Sequence, residues 1–178
     1  MFTKKVSARL LTVVGATALA LGVTSGSQAG NATANLTVQA TVDANCTIST
    51  TAVDFGSYDP ITANATTDLQ APAGGKVTLL CTNGASATVT LGEGSNADTG
   101  STATNPERRM KHGTADYLSY TLYSDAGLTT EWGDTAPTGL AHTGTGASAD
   151  LDVYGVVPQA QNVPVGTYTD TVLATVTF

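Results

Sequence analysis

Apolar and polar residues alternate strictly over residues 34–42, Ala-Asn-Leu-Thr-Val-Gln-Ala-Thr-Val, near the start of the chain. In an extended strand the apolar members share one face, and the Thr and Gln residues share the other. A strand with one apolar face needs partners for both its backbone groups and its side chains. The segment therefore either pairs with the domain that follows it or completes a different one. Its apolar members are Leu36, Val38, Ala40 and Val42.

Short alternating stretches separated by turn residues continue to the end of the chain, with no sustained helical period. Thr, Gly, Ala, Ser and Val dominate, a composition typical of β-structure. Gly-containing turns at residues 72–75 and 82–84 punctuate the pattern. Several short strands separated by frequent turns indicate an all-β sandwich. The predicted strands cover residues 46–55, 76–81, 86–91, 117–123, 149–157 and 168–178.

The last predicted strand carries an apolar face that runs to the final residue. The members of that face are Val172, Ala174, Val176 and Phe178. Between the strands, residues 92–107 are rich in Gly, Ser, Asn, Asp and Thr, which predicts a long exposed loop. Residues 34–42 and residues 168–178 are therefore both predicted to be amphipathic strands.

The first 29 residues have the features of a signal peptide. Lys4, Lys5 and Arg9 precede an apolar stretch over residues 10–23, and Ser27-Gln28-Ala29 offers the small residues that a signal peptidase requires. The stretch is short for a membrane span, which disfavours a retained anchor. We expect the chain to be exported, without membrane insertion.

Loss of the signal peptide leaves four of the seven basic residues against 14 acidic ones, a net charge of −10. Such an acidic chain is a poor candidate for binding nucleic acid or anionic lipid. Three of the four remaining basic residues, Arg108, Arg109 and Lys111, lie in one short run. The sequence predicts a solvated turn there rather than a binding site.

Two cysteines, Cys46 and Cys81, lie in the exported part of the chain. An even pair in an oxidising compartment predicts one disulfide, worth roughly 3–4 kcal/mol on the chain-entropy model. The alternative, a metal pair, lacks nearby His or acidic residues at a recognisable spacing.

The sequence contains no convincing catalytic constellation. Asp98-Thr99-Gly100 matches the aspartic-protease tripeptide but follows a polar stretch instead of an apolar strand. His112 and His142 have no acid or nucleophile at an informative spacing. No nucleophile elbow, phosphate-binding loop or zinc spacing is present. We therefore expect no enzymatic activity, no cofactor and no metal.

A series of short motifs resembles the spore coat protein U domain family and, within it, the small subunits of archaic chaperone–usher pili. The resemblance spans essentially the whole chain after the signal peptide. Its motifs are Asn45-Cys46-Thr47-Ile48, Phe55-Gly56, Gly75-x-Val77 through Cys81, Leu118-x-Tyr120-x-Leu122-Tyr123-x-Asp125, Val153-Tyr154-Gly155-x-x-Pro158 and Gly166-x-Tyr168-x-Asp170-Thr171-Val172 through Phe178.

The resemblance implies an immunoglobulin-like Greek-key sandwich that lacks its last strand and has an N-terminal donor-strand extension. A periplasmic chaperone fills the resulting groove, and an outer-membrane usher helps to replace the chaperone strand with the extension of the next subunit. By position, the four apolar residues of segment 34–42 would be the donor residues, and the apolar face ending at Phe178 would border the groove. Cys46 and Cys81 match the family's disulfide. Ala40 departs from the family, which often places a bulkier residue there.

The expected organisation is a signal peptide at 1–29, a donor-strand extension at 30–44 and an incomplete domain at 45–178. The expected function is a structural pilin that polymerises into a surface fibre for adhesion or biofilm formation. Its partners would be the chaperone, the usher and related subunits. One alternative is a secreted surface or spore-coat protein with the same domain. Another is a carbohydrate-binding sandwich that uses Trp132 with Tyr117 or Tyr123, although core packing is favoured for these residues.

Overall fold

The computed structural model describes residues 29–71 and 74–178, so the predicted signal peptide lies almost entirely outside the described residues. The chain divides into two units, Met1–Ala40 and Thr41–Phe178. In the first unit, residues 29–40 form no helix or strand, and their side chains are exposed. Every described strand belongs to the second unit.

The second unit consists of short strands, as the alternating patterns predict. Its only described helical element is a 3₁₀ turn at Ala136–Thr138. The strands described within residues 41–71 and 74–178 are β1 (Cys46–Thr51), β2 (Leu69–Gln70), β3 (Gly75–Cys81), β4 (Ser86–Leu91), β5 (Arg108–His112), β6 (Asp116–Tyr123), β7 (Leu140–Thr143), β8 (Ser148–Val157) and β9 (Ala174–Thr177).

The strands form two sheets. One sheet has the order β1-β3-β8-β6-β5, with β2 also paired to β8, and the other has the order β7-β4-β9. Every pairing is antiparallel. The prediction of an all-β sandwich is therefore confirmed, and β3, β4, β6 and β8 match predicted strands closely.

The core forms where alternate side chains of the two sheets meet. Val77, Leu79 and Cys81 of β3 are at most 2% exposed, whereas the residues between them are not fully buried. Trp132 is completely buried, and its indole Nε1 donates a hydrogen bond to the carbonyl of Val89 at 2.8 Å. Because a buried indole cannot form an exposed sugar-binding platform, core packing is confirmed for Trp132.

The disulfide between Cys46 and Cys81 is confirmed. The two residues lie directly opposite each other in the β1–β3 ladder, with an S–S distance of 2.08 Å. The bond fastens the first residue of β1 to the last residue of β3. It therefore fixes the position of β1 at the edge of its sheet.

The prediction of a solvated turn at the basic run is wrong. Arg108 begins β5 and is 1% exposed, and Arg109 is half-buried, with its guanidinium 4.2 Å from the ring centre of Tyr117. Backbone carbonyls surround the Arg108 side chain and accept its hydrogen bonds, which makes burial of its charge possible. Hydropathy alone does not reveal such a site.

The prediction of one continuous strand over residues 168–178 is also wrong. Thr169 exchanges two backbone hydrogen bonds with Lys111 of β5, at 2.8 and 3.1 Å. Farther along, β9 pairs with β4 in the other sheet. The chain therefore crosses from one sheet to the other between these pairings. The first predicted strand, 46–55, likewise ends earlier than expected, at Thr51.

Candidate functional site

Two sheet edges without a strand partner lie beside each other in the second unit. Among the described strands, β1 pairs only with β3, and β9 pairs only with β4. Cα atoms of β1 and β9 approach within 8 Å, yet the two strands do not form a ladder. A cleft of about 350 Å³ separates β1 from the chain leading into β9. Its lining residues are Ile48, Ser49, Thr50, Ser95, Thr171, Val172, Leu173 and Ala174.

The C-terminal segment forms one wall of this cleft. Backbone hydrogen bonds from Gly92 to the carbonyl of Leu173 (2.8 Å) and from Ser95 to that of Thr171 (3.0 Å) extend the β4–β9 ladder. Val172, Ala174 and Val176 are half-buried and pack against the core, while Leu173 is 73% and Phe178 53% exposed. Of the four predicted groove-edge residues, Val172 and Ala174 line the cleft, whereas Val176 and Phe178 lie beyond its lining.

Strand β1 and the chain after it form the other wall. Cys46 and Ile48 are half-buried against the core, and Ser49 and Thr50 are exposed at the cleft. Beyond β1, residues 53–61 lie opposite residues 162–168 around a second cavity of about 630 Å³. Since 48–50 face 171–174 and 53–61 face 162–168, the two walls run antiparallel and enclose both spaces in succession.

The second cavity is larger than the cleft and has several large apolar side chains in its lining. Phe55 lines this cavity and contacts Tyr120 edge-on, with ring centres 6.0 Å apart. Ile61 and Val165, both strongly exposed, stand at its lining. Apolar residues that line it are Val53, Phe55, Leu69, Met110, Leu118, Val157 and Val163.

Asp170 fixes the position at which the C-terminal segment changes sheets. One carboxylate oxygen accepts hydrogen bonds from the Ser95 amide (3.0 Å) and the Asn96 side chain (2.9 Å). The other accepts from the Tyr120 hydroxyl at 2.7 Å. Burial, together with this hydrogen bond, raises the pKa of Tyr120, so the phenol stays protonated and donates. A Cβ atom at Gly94 would collide with the carboxylate, which explains the glycine there.

Arg108 supports the end of β4, which lies beside the place where the C-terminal segment changes sheets. Its guanidinium donates to the carbonyls of Gly92 (2.8 Å), Leu91 (2.7 Å) and Trp132 (2.7 Å). Burial lowers the pKa of Arg108, and burial also raises that of Glu131, whose carboxylate lies 3.9 Å away. The buried Arg108 guanidinium therefore fixes the backbone at the end of β4, next to the segment that pairs with residues 171–173.

The four predicted donor residues are solvent-exposed. Leu36 is 88%, Val38 86% and Val42 82% exposed, and Ala40 is exposed as well. Residues 29–45 contain no strand. The polar residues that alternate with the four predicted donor residues are exposed as well.

No other arrangement in the described ranges suggests a chemical site. Residues 29–71 and 74–178 contain no group of three His, Cys, Asp or Glu side chains positioned to hold a metal ion. Among these same residues, no helix is long and apolar enough to cross a membrane.

Comparison with known proteins identifies the family. The family model for the Spore Coat Protein U domain matches residues 32–175. The chain belongs to the Spore Coat Protein U domain family. The resemblance read from the sequence motifs is thus confirmed. The family is structural and not enzymatic, in agreement with the interpretation that the chain is not an enzyme.

A relative and a solved structure extend this comparison. "Protein U" of Myxococcus xanthus is 45% identical over 127 residues, which cover 71% of each chain. A crystal structure of the CsuC–CsuE complex of a chaperone and a tip adhesion subunit, from archaic chaperone–usher Csu pili of Acinetobacter baumannii, matches with a TM-score of 0.52. That match is 22% identical and covers 78% of this chain and 40% of the other. At this identity the structure shows a shared fold.

Proposed function

We propose that this chain is a structural subunit of a chaperone–usher surface fibre and polymerises by donor-strand complementation. Residues 34–42 of one copy would enter the cleft between β1 and the C-terminal segment of another copy. The observation that carries the proposal is the pair of adjacent unpaired edges around this cleft. An inserted strand would pair with both edges and join the two sheets.

The segment and the cleft are complementary in size and chemistry. Residues 36–42 would span roughly 20 Å as a strand, comparable to β1 extended by a residue. Leu36, Val38 and Val42 would leave water on insertion, and burial of such side chains stabilises by about 1.5–3 kcal/mol each. Ala40 contributes less because it is small.

Insertion requires the cleft to widen. Strands on either side of an inserted strand lie about 9.6 Å apart, twice the usual interstrand spacing. The approach of β1 and β9 within 8 Å is closer than this. Donor insertion therefore moves at least one wall outward.

The free edges also account for the proposed partners. Unpaired strand edges and exposed apolar side chains promote aggregation, so a subunit in transit needs a chaperone that covers them. An outer-membrane usher would then exchange the chaperone strand for a neighbour's donor segment. The path from signal peptide through periplasm to cell surface, and a role in adhesion or biofilm formation, follow from this proposal.

A second candidate is a secreted surface or spore-coat protein built from the same domain. It is favoured by the family's description and by the 45% identity to Protein U. A coat protein of this kind would not depend on a chaperone and an usher encoded beside it. A carbohydrate-binding role is disfavoured, because Trp132, the main residue of the candidate platform, is completely buried.

Deletion of residues 34–42 tests the proposal. We expect the full-length chain, produced with its chaperone and usher, to form surface fibres visible by electron microscopy. The deleted chain should accumulate as chaperone-bound subunit without fibres. Fibres of normal length from the deleted chain would contradict the proposal, whereas surface deposits that need neither chaperone nor usher would favour the coat protein.

A further inference from the structure

The connection between the donor segment and the domain contains a local clamp. Asn45 donates its backbone N–H to the Thr82 hydroxyl at 3.1 Å, and the Thr82 amide donates to the Asn45 carbonyl at 2.9 Å. The adjacent pair, Cys46 and Cys81, is covalently joined. Asn45 therefore continues the β1–β3 pairing one residue beyond the strand.

We propose that this clamp prevents the donor segment from entering the cleft of its own chain and so directs it to another copy. The inference rests on the donor-strand function proposed above. A segment tethered by a few residues has an effective concentration on the order of mM. Self-insertion would then exceed insertion between micromolar subunits by ~10²–10³-fold, unless the tether cannot reach in the correct register.

The required register follows from the faces of β1. Residues directly opposite each other in a sheet share a face, and Cys46 and Ile48 face the core. Apolar donor residues must therefore lie opposite these two positions. The complete match places Val42 opposite Cys46. With Asn45 held in the ladder, that match leaves Ala44 alone to reverse the chain.

A one-residue reversal is not possible in a β-hairpin, where the shortest common loop has two residues. A two-residue loop of Asp43 and Ala44 would place Thr41 opposite Cys46 and Gln39 opposite Ile48. The polar face would then point into the cleft.

The next register with the apolar face inward uses a three-residue loop at 42–44. It moves Val42 out of the cleft and into the turn. It also places Ala44 at the position that commonly needs a left-handed residue such as glycine. A clamped chain therefore cannot insert all four apolar residues into its own cleft, whereas an untethered segment from a neighbour meets no such limit.

A one-residue insertion should release this restriction. Ala44→Asn, with one glycine inserted between residues 44 and 45, supplies an Asn-Gly loop while Asn45 keeps its clamp. Val42 can then lie opposite Cys46. Expressed as the full chain with its chaperone and usher, this variant should give monomers by size-exclusion chromatography, with at least a tenfold lower polymer yield. Its monomer should also unfold at a higher temperature than the wild-type subunit.

Two controls separate this inference from its premise. The same Asn-Gly pair inserted between Asn31 and Ala32 leaves the connection unchanged and should polymerise like wild type. Adding Val38→Asp to the loop variant should abolish the stable monomer, because the inserted strand is lost. If Val38→Asp blocks wild-type polymerisation but the loop variant still polymerises normally, the clamp inference is overturned while the proposed function stands. If Val38→Asp leaves wild-type polymerisation intact, the proposed function itself fails.

Discussion

The substitution Val38→Asp tests the proposed donor strand, and the size of its effect can be calculated. Val38 is 86% exposed, so the change should alter the subunit's own stability by no more than about 0.5 kcal/mol. In a joint between subunits the same position would be buried among apolar groups. The variant therefore separates assembly from folding, because only the first process depends on burial at this position.

The expected penalty has two parts. Loss of the buried valine side chain weakens the joint by about 1.5–3 kcal/mol. A buried, unpaired carboxylate takes up a proton instead of remaining charged, which costs about 4 kcal/mol at pH 7 for an ordinary aspartate pKa. The sum of roughly 6 kcal/mol corresponds to a ~10⁴-fold increase in the dissociation constant of the interface between subunits.

The protonation cost gives this prediction a pH dependence. At pH 5 the protonation cost falls to about 1.5 kcal/mol. The affinity between Val38→Asp subunits should therefore be roughly 100-fold higher at pH 5 than at pH 7. Val38→Asn, of similar size but without a titrating group, should weaken the joint equally at both pH values. Polymer yield at pH 5 and 7, measured by sedimentation, distinguishes the two variants.

Thr37→Asp is the matched control, because adjacent residues of a strand point to opposite faces. Its carboxylate would stay near solvent, and we expect polymerisation within a few-fold of wild type. Both aspartate variants should still yield chaperone-bound subunit. Equal effects of the two substitutions, or normal fibres from Val38→Asp, would refute the assignment of the apolar face.

Three further changes test the domain that carries the cleft. Cys46→Ser removes the bond to Cys81 and should destabilise the assembled polymer by about 3–4 kcal/mol; equal denaturant midpoints with and without reductant would contradict this role. Arg108→Leu leaves three buried carbonyls without a donor and should cost on the order of 3–5 kcal/mol, with Arg108→Lys intermediate, by the same denaturation assay. Tyr120→Phe removes the hydrogen bond to the Asp170 carboxylate and should cost about 1.5–3 kcal/mol; an unchanged midpoint would show that the junction does not depend on it.

The strands with one buried face could be predicted from sequence because burial imposes a period of two. In β3, Val77, Leu79 and Cys81 are buried, and Lys76 and Thr78 between them are not. This regularity is visible without a structure. The first strand was predicted less well, since the apolar Val53 and Phe55 continue the pattern after β1 has ended.

Strand β5 could not be found in this way. Arg108 provides its most buried side chain, and the burial depends on carbonyls that belong to distant residues. Strand β7, Leu140–Thr143, lies in a Gly- and Thr-rich stretch whose composition indicates turns. In both cases tertiary hydrogen bonds outweigh the local pattern.

The proposed donor segment and the apolar C-terminal face were predicted from alternation, but the cleft between β1 and the C-terminal segment was only implied by the family resemblance. Alternation cannot show that the chain changes partners between Thr169 and Ala174, because the side chains keep their period while the backbone moves to another sheet. Asp170, a charged residue within this otherwise apolar and Thr-rich run, was the available signal. Ser95 also lines the cleft, but it belongs to a loop distant in sequence, and no sequence pattern indicated its place there.

Photo-cross-linking in mixed fibres tests the central claim most directly. A photoreactive residue replaces Val38 in isotopically heavy subunits, which are assembled with unmodified light subunits and analysed by mass spectrometry. We expect cross-links from position 38 of a heavy chain to the cleft walls, residues 48–50 or 171–174, of a light chain. Cross-links confined to heavy chains, or directed to surfaces outside the cleft, would contradict donor-strand insertion between copies.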